Sequence, residues 1–287
     1  MNTSTGKLVL CPTPIGNLGD ITLRTLDELR AADVVCAEDT RVTGKLLAHF
    51  DIEKRLERLD EATISKQADR IIQRVLAGER IAFCSDAGMP GVSDPGSRLV
   101  ASAQAAGAPY EVLPGASAAA TAYVASGFSD PRYYFGGFFP RKAGERKAVL
   151  EALSGLDASL VFYESPRRIA DALAVIAEVF PAREVAVCRE LTKRYEEGKW
   201  ITLVDAVDKY TAEEPKGEYV LVIEGRSREE LERESAASWE AMTLIEHLEY
   251  YLDRGMDKKE AMKQMAKDRG CSKREIYQRL LDFEQDE

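Results

Sequence analysis

Histidine is almost missing from this chain: His49 and His247 are the two copies in 287 residues, each inside a helix-like segment. Serine–histidine–aspartate catalysis and histidine-rich metal sites are thereby disfavoured, and no metal is expected. Cysteine is equally uninformative as a ligand. Cys11, Cys36, Cys84, Cys188 and Cys271 show no C-x-x-C spacing, and four of them lie in or beside apolar runs. Buried, reduced thiols are expected rather than a disulfide or zinc framework. No apolar run approaches the ~18 residues that span a bilayer, so no membrane partner is expected. The opening MNTSTGKLVLC lacks the charged, apolar and cleavage regions of a secretory signal, which points to the cytoplasm. G-x-x-x-x-G-K-[ST], G-x-G-x-x-G and G-x-S-x-G are all absent, against a P-loop nucleotidase, a standard dinucleotide fold and a hydrolase elbow. Positive charge is the minority: 39 Lys and Arg against 49 Asp and Glu leave a net of −10. Such a chain does not attract nucleic acid as a whole, and any nucleic-acid partner must meet a local basic patch.

What is present is a β-α-β rhythm in a chain 45% hydrophobic and long enough for about two domains. KLVLC (7–11), VVCAE (34–38), RIAFC (80–84) and YEVL (110–113) read as strands. Between them TLRTLDELRAA, KQADRIIQRVLAGE and PGSRLVASAQAAG repeat apolar residues at three and four, which predicts helices and a largely parallel sheet. Gly78 and Gly107 fall at helix C-caps, and Asp94 before Pro95 starts a helix. A second set follows: strands over 159–164, 184–191 and 217–225, and a helix over 166–179. FPRKAGERK (139–147) reads as a mobile loop or crossover, and RSREELERESAAS as a helical linker or solvated face. MDKKEAMKQMAKDRGCSKREIYQRLLDF gives two amphipathic helices, with Gly270 closing the first and Ser272 opening the second.

Four Gly/Pro-rich loops follow the strands of the first half: PTPIGNLGD (12–20), EDTRVTG (38–44), SDAGMPGVSDPG (85–96) and PGAS (114–117). In a parallel sheet they share one edge, where backbone groups are free to meet a ligand. Each alone is a tight turn; together they predict a site. Asp86 is the expected ligand-binding carboxylate, and Asp94 the helix cap.

PTPIGNLGDIT, AEDTRVTGKLL, SDAGMPGVSDPG, LPGASA, FYESPRRI and CRELTK, in that order, resemble the ribosomal RNA small subunit methyltransferase I family. That family belongs to the tetrapyrrole-methylase-like class of S-adenosylmethionine enzymes. The resemblance spans residues 7–225 and extends loosely to the C-terminal helices. It implies an α/β fold of two subdomains (1–115 and 116–230) with the cofactor in the cleft between them, and a small C-terminal helical domain (231–287). It also implies a homodimer and 2′-O-methylation of a cytidine in small-subunit (16S) ribosomal RNA, free or within the 30S subunit. Two positions depart from the family pattern: Met89 stands where Thr is usual, and RLDEAT (58–63) lacks the usual histidine.

The implied S-adenosylmethionine set is Pro12, Asp86, Gly88, Met89, Gly115, Ser117, Ala118 and Tyr163. Glycines let the backbone approach the cofactor, and a fixed carboxylate accepts its hydroxyl or ammonium donors. With histidine scarce, the candidate bases are Glu38, Asp39 and Glu164, at strand carboxyl ends. Arg41, Arg167 and Arg168 are candidates for RNA phosphates, with Arg141, Lys142, Arg146 and Lys147 as a mobile basic arm. Two other readings stay open at this stage: a tetrapyrrole or protein side-chain methyltransferase on the same scaffold, and a nucleic-acid-binding regulator using the C-terminal helices.

Overall fold

KLVLC and RIAFC are apolar on both faces, and a strand of that kind is stable only with both faces covered. They form adjacent strands in the computed structural model, which describes residues 6–129, 132–212, 215–226, 233 and 239–285. The chain separates into two units, Met1–Ser154 with Ser159–Glu224, and Gly155–Ala158 with Gly225–Glu287.

The first sheet of the larger unit contains β1 (Lys7–Cys11), β2 (Val34–Ala37), β3 (Leu56–Arg58), β4 (Arg80–Cys84) and β5 (Tyr110–Val112). Their order is β3-β2-β4-β1-β5, and every pairing is parallel, as the β-α-β rhythm requires. Alternate residues feed two cores. Leu8, Leu10, Ile81 and Phe83 pack under α3 (Glu61–Leu76) and α4 (Gly96–Ala106); Val9, Cys11, Ala82 and Cys84 pack under α1 (Leu23–Ala31) and α2 (Thr40–His49). Each fully buried Leu, Ile or Phe contributes about 1.5–3 kcal/mol by leaving water. Cys11, Cys36, Cys84 and Cys188 are buried free thiols; burial pushes Cys36 up to about 12 and Cys188 up to about 11, so they are inert packing groups. Gly107, at φ 66°, closes α4, and Gly78, at φ 103°, follows the last turn of α3.

EDTRVTG is a loop only at its first two residues. Asp39 is the N-cap of α2, accepting from Arg41 N–H at 2.9 Å, and the helix begins at Thr40. The glycine inside α2 disguises the helix in the sequence.

The second sheet is mixed. β6 (Tyr133–Phe138), β7 (Ser159–Glu164), β8 (Glu184–Arg189), β9 (Glu197–Thr202) and β10 (Tyr219–Ile223) lie in the order β6-β7-β10-β8-β9, and only β6 and β7 run parallel. α5 (Ala118–Ser126) covers one face; α6 (Ala143–Ala152), α7 (Ile169–Val179) and α8 (Leu203–Ala212) cover the other. β6 escapes a period-two reading because Gly136 and Gly137 interrupt it. A Cβ on Gly136 would stand 2.1 Å from Phe162 Cε1, and the register shifts between Phe135 and Phe138.

The segment 139–147, expected as a mobile loop or crossover, lies in the crossover between the parallel strands β6 and β7, and the mobile basic arm is corrected. It is largely the first turn of α6, and Arg146 is fully buried: its Nε donates to Pro140 O at 2.6 Å and its guanidinium lies 3.4 Å from the Glu164 carboxylate. A charge run carries no hydrophobic period, so the inward-facing arginine was invisible in the sequence.

The smaller unit contains α9 (Leu244–Leu252), α10 (Lys258–Asp268) and α11 (Lys273–Gln285) around Leu244, Tyr251, Met265, Ile276 and Leu280. Gly270, at φ 60°, follows α10, and Ser272 with Glu275 forms a reciprocal cap on α11. His247 is buried against Trp239, with ring centroids 4.2 Å apart, and takes a hydrogen bond on Nδ1 from Arg269 Nε at 3.0 Å. The expected helical linker lies outside the described residues except at 226 and 233. Among the described residues, no helix is long and apolar enough to cross a membrane.

Candidate functional site

Because β1, β2, β4 and β5 are parallel, their carboxyl ends meet at one edge, and the loops leaving that edge are bound to one another. Thr13 and Gly88 exchange backbone hydrogen bonds, both 3.0 Å, clasping the loop after β1 to the loop after β4. Thr13 Oγ1 donates to Ser85 O and Ser85 Oγ to Gly88 O, each at 3.1 Å, so the buried hydroxyls close the turn from inside. Gly88 has φ 80°, a conformation that favours glycine, and a Cβ there would press on Ile15 and Ala116 O at 3.3 and 3.4 Å. Asp94 Oδ1 accepts from Gly91 and Gly96 N–H, both at 2.7 Å, tying the far end of the loop to the start of α4. The glycines, prolines and aspartates of SDAGMPGVSDPG thus build a rigid rim.

Behind the rim is a cavity of about 500 Å³. The first sheet contributes Glu38, Ser85, Asp86, Gly88 and Met89, α5 contributes Ser117 and Ala118, and the second sheet contributes Tyr163 and Glu164. Eight sequence-predicted residues are therefore gathered: Glu38, Glu164, Asp86, Gly88, Met89, Ser117, Ala118 and Tyr163. Pro12 and Gly115 do not line the cavity. A Cβ on Gly115 would stand 2.3 Å from Pro12 Cβ, so this glycine allows two loops to touch.

Asp39, Arg41, Arg141, Lys142, Arg167 and Arg168 do not line the cavity. Asp39 grips Arg41, with Oδ2 2.6 Å from Nη2, and this pairing holds its carboxyl well below the usual range. Arg168 is committed to Glu164 at 2.7 Å and to Ser165 Oγ at 2.9 Å. Lys142 pairs with Glu145 at 2.9 Å; Arg141 and Arg167 are exposed. Glu164, between Arg146 and Arg168, also accepts from Ser165 N–H at 2.7 Å. A carboxylate so surrounded holds the end of β7 in place.

Glu38 is different. Asp86 N–H donates to its Oε2 at 3.2 Å, but burial, followed by the nearby Asp94, Asp86 and Glu61 carboxylates, pushes its carboxyl above the usual range. Burial likewise raises the Tyr163 hydroxyl, which sits edge-on to Phe135 and Phe138.

The sequence reading missed Leu191 and Gly217–Val220, which also line the cavity. β10 is antiparallel to β7, with Tyr219 opposite Glu164, so its amino end arrives where a parallel strand would bring a carboxyl end. The mixed second sheet was the signal lacking.

A second recess of about 380 Å³ is lined by Glu38, Glu61, Ser93, Asp94, Pro95, Ser97 and Arg98. Glu38, Ser93 and Asp94 also line the first cavity, so the two adjoin.

Residues 7–207 match the family model of tetrapyrrole (corrin/porphyrin) methylases. The chain is 44% identical over 272 residues to a ribosomal RNA small subunit methyltransferase I of Halalkalibacterium halodurans, covering 95% of this chain and 93% of that one. It is 42% identical to the protein of the same name from Bacillus subtilis, with the same coverage. Among solved structures, a diphthine synthase superposes with a TM-score of 0.61 at 17% identity, covering 76% of this chain and 90% of that one. A cobalt precorrin-4 methyltransferase gives 0.58 at 17% identity, covering 77% and 96%. These two likenesses concern the fold.

Proposed function

Because the chain belongs to the tetrapyrrole methylase family, and within it to the ribosomal RNA small subunit methyltransferases I, we propose that it transfers a methyl group from S-adenosylmethionine to the ribose 2′-oxygen of a cytidine in small-subunit ribosomal RNA. The observation that carries this reading is the 500 Å³ cavity at the carboxyl edge of the parallel sheet, walled by Asp86, Glu38 and Glu218. Its size is within the ~300–1,000 Å³ of ligand pockets. Its chemistry suits the donor: Met89, Val92, Leu191 and Val220 offer apolar surface to an adenine, and the Asp86 and Glu218 carboxylates accept from ribose hydroxyls and an ammonium. The Gly88 turn leaves the rim free of a side chain where the loops converge.

Bound there, S-adenosylmethionine supplies an electrophilic methyl group on a cationic sulfur. Asp86 and the backbone of the Ser85–Gly88 turn hold the donor, and Tyr163 closes the cavity from the second sheet. Glu38, on the side shared with the second recess, takes the proton of the attacking hydroxyl on a carboxylate oxygen. Positioning of this kind supplies about 7–11 kcal/mol and a base about 3–5 kcal/mol, so orientation dominates. Ser117, Ala118, Pro12 and Gly115 support the wall. Exposed Arg141, Lys142, Arg167 and Arg41 meet RNA phosphates, with Arg168 acting through Glu164. The protein works in the cytoplasm, where ribosomal RNA is assembled, and as a homodimer.

The test is incubation with methyl-labelled donor and, in parallel, naked small-subunit RNA, 30S subunits or a tetrapyrrole. Label on RNA or subunits supports the reading; label on the tetrapyrrole alone refutes it.

A further inference from the structure

We propose that the 380 Å³ recess is the pocket of the acceptor cytosine, read by Glu61 and Arg98, with the free oxygen of Asp94 accepting from the ribose. The assignment rests on the methyl-transfer reading above and names how the acceptor is chosen.

Donor and acceptor pockets must adjoin at the point of transfer, and these two recesses share Glu38, Ser93 and Asp94. Asp94 spends Oδ1 on two backbone N–H groups, while Oδ2 is buried and has no hydrogen-bond partner among the described residues. A buried carboxylate oxygen without a donor is costly to the fold, and a ligand hydroxyl satisfies it. Its neighbour Ser93 holds φ 65°, the left-handed region disfavoured for a residue with a Cβ. Strain of this kind persists where a loop is shaped for a ligand.

Glu61 Oε1 and Arg98 Nη2 stand 2.8 Å apart on the recess wall, presenting an acceptor beside donors. Cytosine offers the complement: N4–H₂ donates to the carboxylate, while N3 and O2 accept from the guanidinium. Uracil places O4, an acceptor, against the carboxylate and is rejected. The base enters after leaving its stack. Both side chains are more than half exposed, and an ion pair of that kind contributes little to stability, so its replacement leaves the fold intact.

The experiment first maps the methylated nucleotide in wild-type product RNA, then compares transcripts carrying C or U at that position. Wild-type enzyme should prefer C by about tenfold or more in kcat/KM. Glu61→Gln, whose amide can turn its N–H₂ toward O4, should bring the two transcripts within about threefold, and Arg98→Met should lower kcat/KM on C about tenfold or more. Calorimetric affinity for S-adenosylmethionine should be unchanged in both variants. If wild type labels RNA but both folded variants keep its C/U ratio and its rate on C, the pocket assignment falls alone. If wild type binds the donor yet labels neither transcript nor native subunits, the methyl-transfer reading falls and takes the assignment with it.

Discussion

Asp86 donates its backbone N–H to the Glu38 carboxylate at 3.2 Å, tying the end of β4 to the end of β2. One hydrogen bond does not offset partial burial and three carboxylate neighbours, and Glu38 holds its proton above the ordinary carboxylate range. If Glu38 is the base, kcat/KM falls as pH drops through that raised value, on a limb displaced above ~4.3. Glu38→Gln should lower kcat about 10²- to 10⁴-fold without changing donor affinity; an unchanged rate removes Glu38 from the chemistry. The sign for stability is opposite: a carboxyl raised in the folded state favours folding at low pH, and that contribution is lost as pH rises through the folded value.

Arg146 and Glu164 form a buried ion pair at the carboxyl end of β7, 2% and 0% exposed. Removing Arg146 strips the buried Glu164 of one of its two cations and leaves Pro140 O without its donor, so Arg146→Ala should cost about 1–3 kcal/mol or more in denaturant unfolding. Lys147→Ala, which breaks an exposed pair with Glu178, should cost less than about 1 kcal/mol. Equal effects would contradict the inward placement of Arg146.

Gly115→Val forces atoms into Pro12, one residue from the Thr13–Gly88 clasp. Overpacking should cost about 1–3 kcal/mol of stability, and displacement of the clasp should weaken S-adenosylmethionine binding at least about tenfold, a loss of about 1.4 kcal/mol. Normal affinity in calorimetry would separate that turn from the cavity.

RNA binding by an acidic chain must come from local cations. Replacing Arg141, Lys142 and Arg167 with Gln should flatten the log–log salt dependence by about 0.7–0.9 per lost phosphate contact, with donor affinity unchanged. An unaltered slope places the RNA elsewhere.

The first sheet was legible because four of its five strands are short runs rich in apolar residues and most of its helices carry their period, with Asp94 accepting from the first N–H of α4 and Gly107 closing that helix, whereas the polar LER of β3 gave no such sign. Its four loops announced the site for the same reason: parallel strands must end together. The second sheet was harder. β9 is an edge strand, as β3 is in the first sheet, β6 is broken by Gly136 and Gly137, and the antiparallel entry of β10 brings Glu218 and Tyr219 to the cavity, a direction that no local pattern announces. Charge partners were the least legible. Nothing in a list of arginines says that Arg146 is buried, that Arg168 serves Glu164, or that Arg41 is held by Asp39. Those pairings depend on which strands lie side by side.

The most direct test of the central claim is the identity of the methylated nucleoside. Small subunits purified from cells lacking this protein are treated with the enzyme and methyl-labelled S-adenosylmethionine, and the RNA is digested to nucleosides and resolved by mass spectrometry. The account predicts label in 2′-O-methylcytidine, lost with Glu38→Gln. Label confined to a base-methylated nucleoside, or absent from RNA while the donor binds normally, would contradict it.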